Sequence, residues 1–429
     1  MSNAFRSRRA GACPPLSPSP TLLVSLSPPL PLSSSPTHSF SDSPALDKDR
    51  SRYAGSPSRQ RVLRASSSDK VLLWIALTLL FFGLAMGYSA SVVMAREEHG
   101  SSSYYFLKQV IFALGGIVLM FAGMKINYQR LNSLWFLFPM LGLAFLSLLG
   151  VFAFAPVNGA RRWIRLAGIS LQPSEFVKVL LIIFMAFYLG RRQQVINHWL
   201  KGFAPCLLLV GVFAVLILKE PDLGTSTYIL LSVAILLFAA GLRLRYLLFA
   251  AIASIPVMYL LVYSVAYRRN RMMAFLNPFD DPMGIGYQIR QSLITIGSGG
   301  FWGVGLANGK QKLFFLPMPH TDFIYAVIGE ELGLWGCLLV LSLFLLFFWR
   351  GLRIALRAQD PFGHYLALGL TNLVVMQALF NISVVLSLLP NKGLPLPFIS
   401  MGGSSLMATL FSVGLLLNIS SRSTNRVEL

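Results

Sequence analysis

From Val71 almost to the C-terminus the chain is a succession of apolar runs, each about 18–25 residues long, separated by short polar stretches. A run of that length, coiled as an α-helix, crosses roughly 30 Å of hydrocarbon. Lipid supplies no water to backbone amides, so each run must satisfy its own N–H and C=O groups, which a helix does. With 55% hydrophobic and only 12% charged residues, the 429-residue chain cannot be a string of soluble domains. Ten spans are predicted, at about 71–94, 104–124, 131–154, 174–190, 202–218, 223–241, 246–265, 322–348, 364–387 and 401–419. The fold class is an all-α polytopic membrane protein.

Charge sets the orientation. Lys125, Arg130, Arg191, Arg192, Lys201, Arg243, Arg245, Arg350, Arg353 and Arg357 fall in loops on one side of this arrangement. The positive-inside rule makes that side cytoplasmic, with both termini there. Of the acids outside the tails, only Asp360 falls on that side, so the remaining acids gather at the outer face. The net charge of +20 therefore reports topology and anionic membrane lipid, and nucleic acid is excluded as a partner.

Residues 1–70 hold ten of the 24 prolines, and their ten Lys/Arg against four acids make them basic. A Ser/Pro-rich segment of this kind buries too little apolar surface to offset its ordering entropy, so a disordered cytoplasmic tail is expected. The transmembrane domain is expected over 71–420, with a long outer loop at 266–320 and a short cytoplasmic tail at 421–429. Cys13, Cys206 and Cys337 are widely spaced and form no metal or disulfide pattern.

Four outward clusters carry candidate chemistry. Asn158-Gly159-Ala160-Arg161-Arg162-Trp163-Ile164 precedes Gln172-Pro173-Ser174-Glu175-Phe176-Val177-Lys178, in which Pro173 suits a first helical turn and Glu175 and Lys178 share a face. Lys219-Glu220-Pro221-Asp222-Leu223-Gly224-Thr225 reads as a charged turn acting as a structural clamp. His320-Thr321-Asp322 closes the long loop, which contains Arg268, Arg269, Arg271, Arg290, Lys310 and Lys312. Those cations outside the cytoplasm call for a reason, and an anionic head group is the simplest. Leu389 to Phe398, followed by Ser400 to Ser405, has the prolines and glycines of a re-entrant loop that offers Lys392 and backbone amides to an anion.

Asp322 stands at the start of a long apolar helix. An ionisable group there is a functional candidate, although the same position suits a helix cap. At 100° per residue, Glu331 would face away from Asp322 and Glu330 would lie deeper, so one working carboxylate is expected. The two glutamates are expected to pair with neighbouring helices or a partner. No phosphate-binding loop, dinucleotide fingerprint, zinc-protease helix or nucleophile elbow is present.

Taken together and in this order on ten spans, the four clusters resemble the SEDS family of bacterial peptidoglycan glycosyltransferases. The resemblance also rests on Gly329-Glu330-Glu331-Leu332-Gly333 and Gly402-Gly403-Ser404-Ser405, and it covers 71–420. Gly305-Leu306-Ala307-Asn308-Gly309-Lys310-Gln311-Lys312-Leu313 looks like the division branch of that family rather than the elongation branch. Met318, Asn391 and Met401 depart from the family pattern, and bear only on positioning in the outer loop.

The resemblance implies a SEDS-type fold and polymerisation of lipid II into a nascent glycan strand at the septum of a bacterial inner membrane. It implies Asp322 as the base, with Arg161, Arg162, Glu175, Lys178, Lys392, His320 and Ser404 binding substrate. It implies no organic cofactor. A divalent cation (Mg or Mn) would take Asp322 and Glu175 as ligands. A class B penicillin-binding transpeptidase and other division proteins are the implied partners. A lipid II flippase and a non-catalytic division scaffold remain as alternatives. A flippase would expose polar groups to both leaflets, whereas these cluster on one side.

Overall fold

A computed structural model describes residues 68–156, 160–166, 169–277, 286–313 and 315–423. Most of the expected disordered tail, the last residues of the chain, Asn158 with Gly159, and Asp280 with Asp281 lie outside the described residues.

Twelve helices account for almost all the regular structure described. They are α1 (Lys70–His99), α2 (Tyr104–Lys125), α3 (Leu134–Val151), α4 (Pro173–Arg192), α5 (Ala204–Lys219), α6 (Leu223–Ala239), α7 (Leu244–Tyr263), α8 (Ala266–Leu276), α9 (Tyr287–Gly299), α10 (Ile324–Arg357), α11 (Pro361–Val385) and α12 (Gly403–Arg422). A small hairpin, β1 (Ile164–Leu166) with antiparallel β2 (Ile169–Leu171), precedes α4 and pairs Arg165 with Ser170. Among the described residues nine helices are long and apolar enough to cross a membrane. The tenth expected span, α6, has 17 residues, or roughly 26 Å of helix, close to a bilayer's thickness. The expected outer loop is not irregular: it contains α8 and α9.

α4 lies at the centre. Between Lys178 and Arg191 its residues are apolar on every side and nearly all are buried, as a helix without a lipid face requires. α11 packs against it on one flank, α12 on another, and α12 pairs closely with α2. That last approach depends on small residues: a Cβ on Gly123 would sit 3.2 Å from Gly414, and one on Gly414 would sit 2.2 Å from the Met120 carbonyl oxygen. α7 is peripheral, with Leu248, Phe249, Ile252 and Ile255 exposed along a helix that turns its apolar side chains to lipid.

The inner face is tied by polar contacts between helix ends. Arg422 donates to the Asn127 side chain at 2.8 Å, Arg191 to the Asn132 carbonyl at 3.0 Å, and the Tyr128 hydroxyl bonds Asp360. Asp69 belongs to this face rather than to the tail. It caps α1 through the Leu72 amide at 3.0 Å and meets Arg350 of α10 at 2.6 Å.

α10 breaks at Gly333, whose φ of 66° only glycine adopts without strain. The break frees backbone groups at membrane depth, and the segment after α9 recovers them. Val304 and Gly305 amides donate to the Glu330 and Glu331 carbonyls at 2.9 and 3.0 Å, while the Leu334 amide donates to the Gly300 carbonyl at 3.0 Å. This docking holds the segment leading to Asp322 against the bundle.

Candidate active site

Asp322 lies just before α10, whose N-cap is Phe323. Among the described residues nothing hydrogen-bonds its partly buried carboxylate, so the capping role is not the one it fills. Its backbone is fixed from three sides. Asn381 of α11 donates from Nδ2 to the Asp322 carbonyl at 2.8 Å and to the Leu394 carbonyl at 2.8 Å. The Ser400 hydroxyl donates to the Thr321 carbonyl, and the Met401 amide donates to the His320 carbonyl at 3.0 Å. The stretch from Leu386 to Gly402 is thus a non-helical loop folded back against the bundle, as expected of a re-entrant segment, and it brings Gly393, next to Lys392, against the acid. A Cβ on Gly393 would approach Asp322 Oδ2 to 3.1 Å, and one on Gly224 would lie 3.4 Å from Lys392 Cβ and 3.5 Å from Asp222 Oδ1. A side chain at 393 would crowd the carboxylate, whereas one at 224 would make ordinary contact.

Asp222 and the two arginines complete the site. Asp222 caps α6 through the Thr225 amide at 3.0 Å, which bears out a structural role for the charged turn. Its other oxygen lies 3.7 Å from Arg162 Nη1. Arg162 Nε also donates to the Glu220 carbonyl at 3.2 Å, and Nη2 donates to the Pro221 carbonyl. Arg271 of α8 donates from Nη1 to the Asn391 carbonyl at 3.4 Å, next to Lys392. Burial pushes the Asp322 carboxyl up to about 6; Arg271 and then Arg162 pull it down, and Asp222 pushes it up. Burial lowers the Lys392 ammonium, and Asp222 raises it back. The site therefore presents Asp322, poised near neutrality, in a mixed cluster with Asp222, Arg162, Arg271 and Lys392.

Several residues expected here have protein partners of their own. Glu175 and Lys178 are 2% and 3% exposed, form a 2.6 Å ion pair, and Lys178 also donates to Gln377 Oε1 at 2.6 Å. Gln377 in turn holds the Pro395 carbonyl at 2.8 Å and Ser405 Oγ at 3.2 Å, so the pair supports the re-entrant loop from below. Ser404 is buried and accepts from the Gln172 amide at 2.9 Å, which fixes the entry to α4. His320 is buried against the Tyr105 ring, 5.3 Å between centroids, and burial lowers its basicity. Arg161 is exposed and donates to the Phe152 carbonyl at 3.1 Å, on the flank of the site.

Lys312, expected among the head-group cations, is instead buried against Glu331 at 2.6 Å and donates to Ser89 of α1 at 3.0 Å. Glu330 accepts from the Lys310 amide at 2.7 Å and the Gln311 amide at 3.1 Å. Both glutamates are thus bound by their own outer segment, and Glu331 also by α1. The helical angles that separated them from Asp322 do not apply, because α10 starts after Asp322. The single-carboxylate expectation rests instead on these bonds. The expected divalent cation was to take Asp322 and Glu175 as ligands. Among the described residues no three His, Cys, Asp or Glu side chains converge, and Glu175 is paired with Lys178.

Arg271 and Glu220 were not singled out as site residues from the sequence. The only signal for Arg271 was the excess of cations in an outer loop. Glu220 is fully buried with both carboxylate oxygens unbonded.

Fold and site together define a multi-pass helical membrane protein with a carboxylate-and-cation centre at one membrane face. Residues 70–425 match the FtsW/RodA/SpoVE model, described as a cell cycle protein. The chain belongs to this family, the SEDS family. The probable peptidoglycan glycosyltransferase FtsW of Geobacter metallireducens is 46% identical over 357 residues, covering 82% of this chain and 95% of its own length. Stage V sporulation protein E of Bacillus subtilis is 40% identical over 359 residues, covering 83% and 98%. Among solved structures, RodA of Thermus thermophilus matches with a TM-score of 0.60 at 26% identity, over 82% of this chain and 96% of that one. A chain from a peptidoglycan synthase complex that coordinates polymerization and crosslinking matches with a TM-score of 0.69 at 28% identity, over 82% and 97%.

Proposed function

We propose that this chain is a peptidoglycan glycosyltransferase of the division branch, polymerising lipid II at the outer face of a bacterial cytoplasmic membrane during septal wall synthesis. The observation that carries this reading is Asp322: a partly buried carboxylate with no hydrogen bond among the described residues, under the influence of Arg271 and Arg162, with Gly393 against it and Lys392 next in sequence. The names of the FtsW relatives support the same activity.

A sugar hydroxyl is a weak nucleophile at neutral pH and needs a positioned base. The 4-hydroxyl of one saccharide attacks the anomeric carbon of another. The new C–O bond forms as the bond to the lipid diphosphate breaks, and Asp322 takes the hydroxyl proton. Negative charge gathers on the departing undecaprenyl pyrophosphate, where Arg162, Arg271 and Lys392 stabilise it. These three are held by backbone carbonyls, a carboxylate and loop geometry, so little reorganisation accompanies the reaction. The likeness to a chain of a synthase complex that coordinates polymerization and crosslinking supports partnership with a class B penicillin-binding transpeptidase.

Purified Asp322→Asn given lipid II in detergent yields no glycan polymer while its elution and helical content match the parent. Normal polymer from that variant refutes the assignment. Polymer from the parent separates an enzyme from a flippase or a scaffold.

A further inference from the structure

At the end of the molecule opposite Asp322, a recess of about 300 Å³ opens between the first residues of α1 and the last turns of α10 and α12. Its charged lining is Asp69, Lys70, Arg350, Arg353 and Arg357, four cations against one acid. That acid is already spent: Asp69 Oδ2 accepts from both Arg350 Nε and Nη2, at 3.0 and 2.6 Å, and Oδ1 accepts from the Leu72 amide. Among the described residues Lys70, Arg353 and Arg357 meet no carboxylate. Arg350, Arg353 and Arg357 fall at i, i+3 and i+7 of α10, on one face, where like charges repel unless an anion joins them.

Val71 and Ile354 are the apolar residues of the lining, and two tryptophans stand a helical turn from its cations. Arg353 lies over the Trp349 ring, 5.8 Å from its centroid, and Trp349 is exposed one turn away from it. Trp74, one turn beyond Lys70, is also exposed on the flank of α1. Amphipathic indoles beside basic side chains at the inner ends of spans mark the level of lipid head groups. Guanidinium forks match phosphate oxygens, and the indoles offer surface to acyl chains, which a free anion would leave unused.

We propose that this recess binds the phosphate of an anionic phospholipid of the inner leaflet, with its acyl chains along Trp349 and Trp74. Phosphate is the recognised group, and the lipid is its source.

Native mass spectrometry of the full chain in detergent, titrated with phosphatidylglycerol, reads the occupancy. The parent retains phosphatidylglycerol in preference to phosphatidylethanolamine. Arg353→Gln/Arg357→Gln lowers that occupancy about tenfold or more, whereas Lys125→Gln/Arg130→Gln, which removes the same charge elsewhere on the inner face, leaves it unchanged. Lys70→Gln, at an exposed position, gives a partial loss and guards against misfolding of the double variant. Undiminished binding by Arg353→Gln/Arg357→Gln, or an equal loss in the control pair, overturns the proposal. Displacement of the lipid by millimolar inorganic phosphate overturns the lipid as the source.

Discussion

Lys178→Met tests how the site is supported from beneath. The substitution leaves the Glu175 carboxylate, 2% exposed, without the ammonium 2.6 Å away. Removing one partner of a buried ion pair costs about 3–5 kcal/mol, because the other charge stays buried without compensation. Glu175→Gln costs a similar amount by leaving the buried Lys178 charge without a counter-ion, with neutral Gln377 Oε1 and the face of Tyr228, 5.6 Å from the ring centroid, as partners. The double variant Glu175→Gln/Lys178→Met carries no buried charge. Its loss falls well below the sum of the single losses, with a coupling of about 3 kcal/mol. Titration with a denaturing detergent in mixed micelles, followed by tryptophan fluorescence, measures all three. Because Gln377 also holds the Pro395 carbonyl, the single variants lose polymerisation along with stability, and the double variant recovers more stability than activity. Additive losses, with the double variant the least stable of the set, would refute the reasoning.

Two further predictions concern the surroundings of the site. Burial, reinforced by Asp222 and opposed by Arg162, pushes Glu220 up to about 8, so the folded chain holds a proton that the unfolded chain has released. Stability then falls as pH rises from the ordinary carboxylate range toward 8, by up to ~1.4 kcal/mol per unit. Glu220→Gln flattens this dependence between about pH 6 and pH 8, which unfolding across that range checks; parallel curves for parent and variant refute it. Gly333→Ala places a Cβ 2.4 Å from the Gly303 nitrogen at a φ of 66°, so strain and overpacking together cost about 2–5 kcal/mol. The variant is expected to unfold earlier, and its 300–313 segment to be cut sooner by protease than in the parent.

The helices were legible because lipid forces each span to close its own hydrogen bonds, which leaves a run of apolar residues as a direct record of a helix. The record fails where helix geometry fails. Angles counted from Asp322 to Glu331 presuppose one continuous helix, and here α10 begins at Ile324 and turns sharply at Gly333. Partners distant in sequence are hidden for a different reason. Asp69 adjoins a Ser/Pro-rich segment and looks like part of it, yet its partner Arg350 lies 281 positions away. Lys312 and Arg271 are both cations of the same outer segment. Only packing sends one into Glu331 and the other to the re-entrant loop. Asp322 itself was visible as an acid at the mouth of a span. That no described residue hydrogen-bonds its carboxylate was not, since that depends on what the loop at 386–402 leaves open.

The rate of lipid II polymerisation as a function of pH tests the role of Asp322 most directly. With the carboxyl near 6, the rate falls about tenfold per unit below that pH as the base becomes protonated. Arg271→Gln removes the larger of the two cationic influences that hold the carboxyl down, so the break moves upward. A rate indifferent to pH down to about 5, or a break that stays in place in Arg271→Gln, would contradict Asp322 as the proton acceptor.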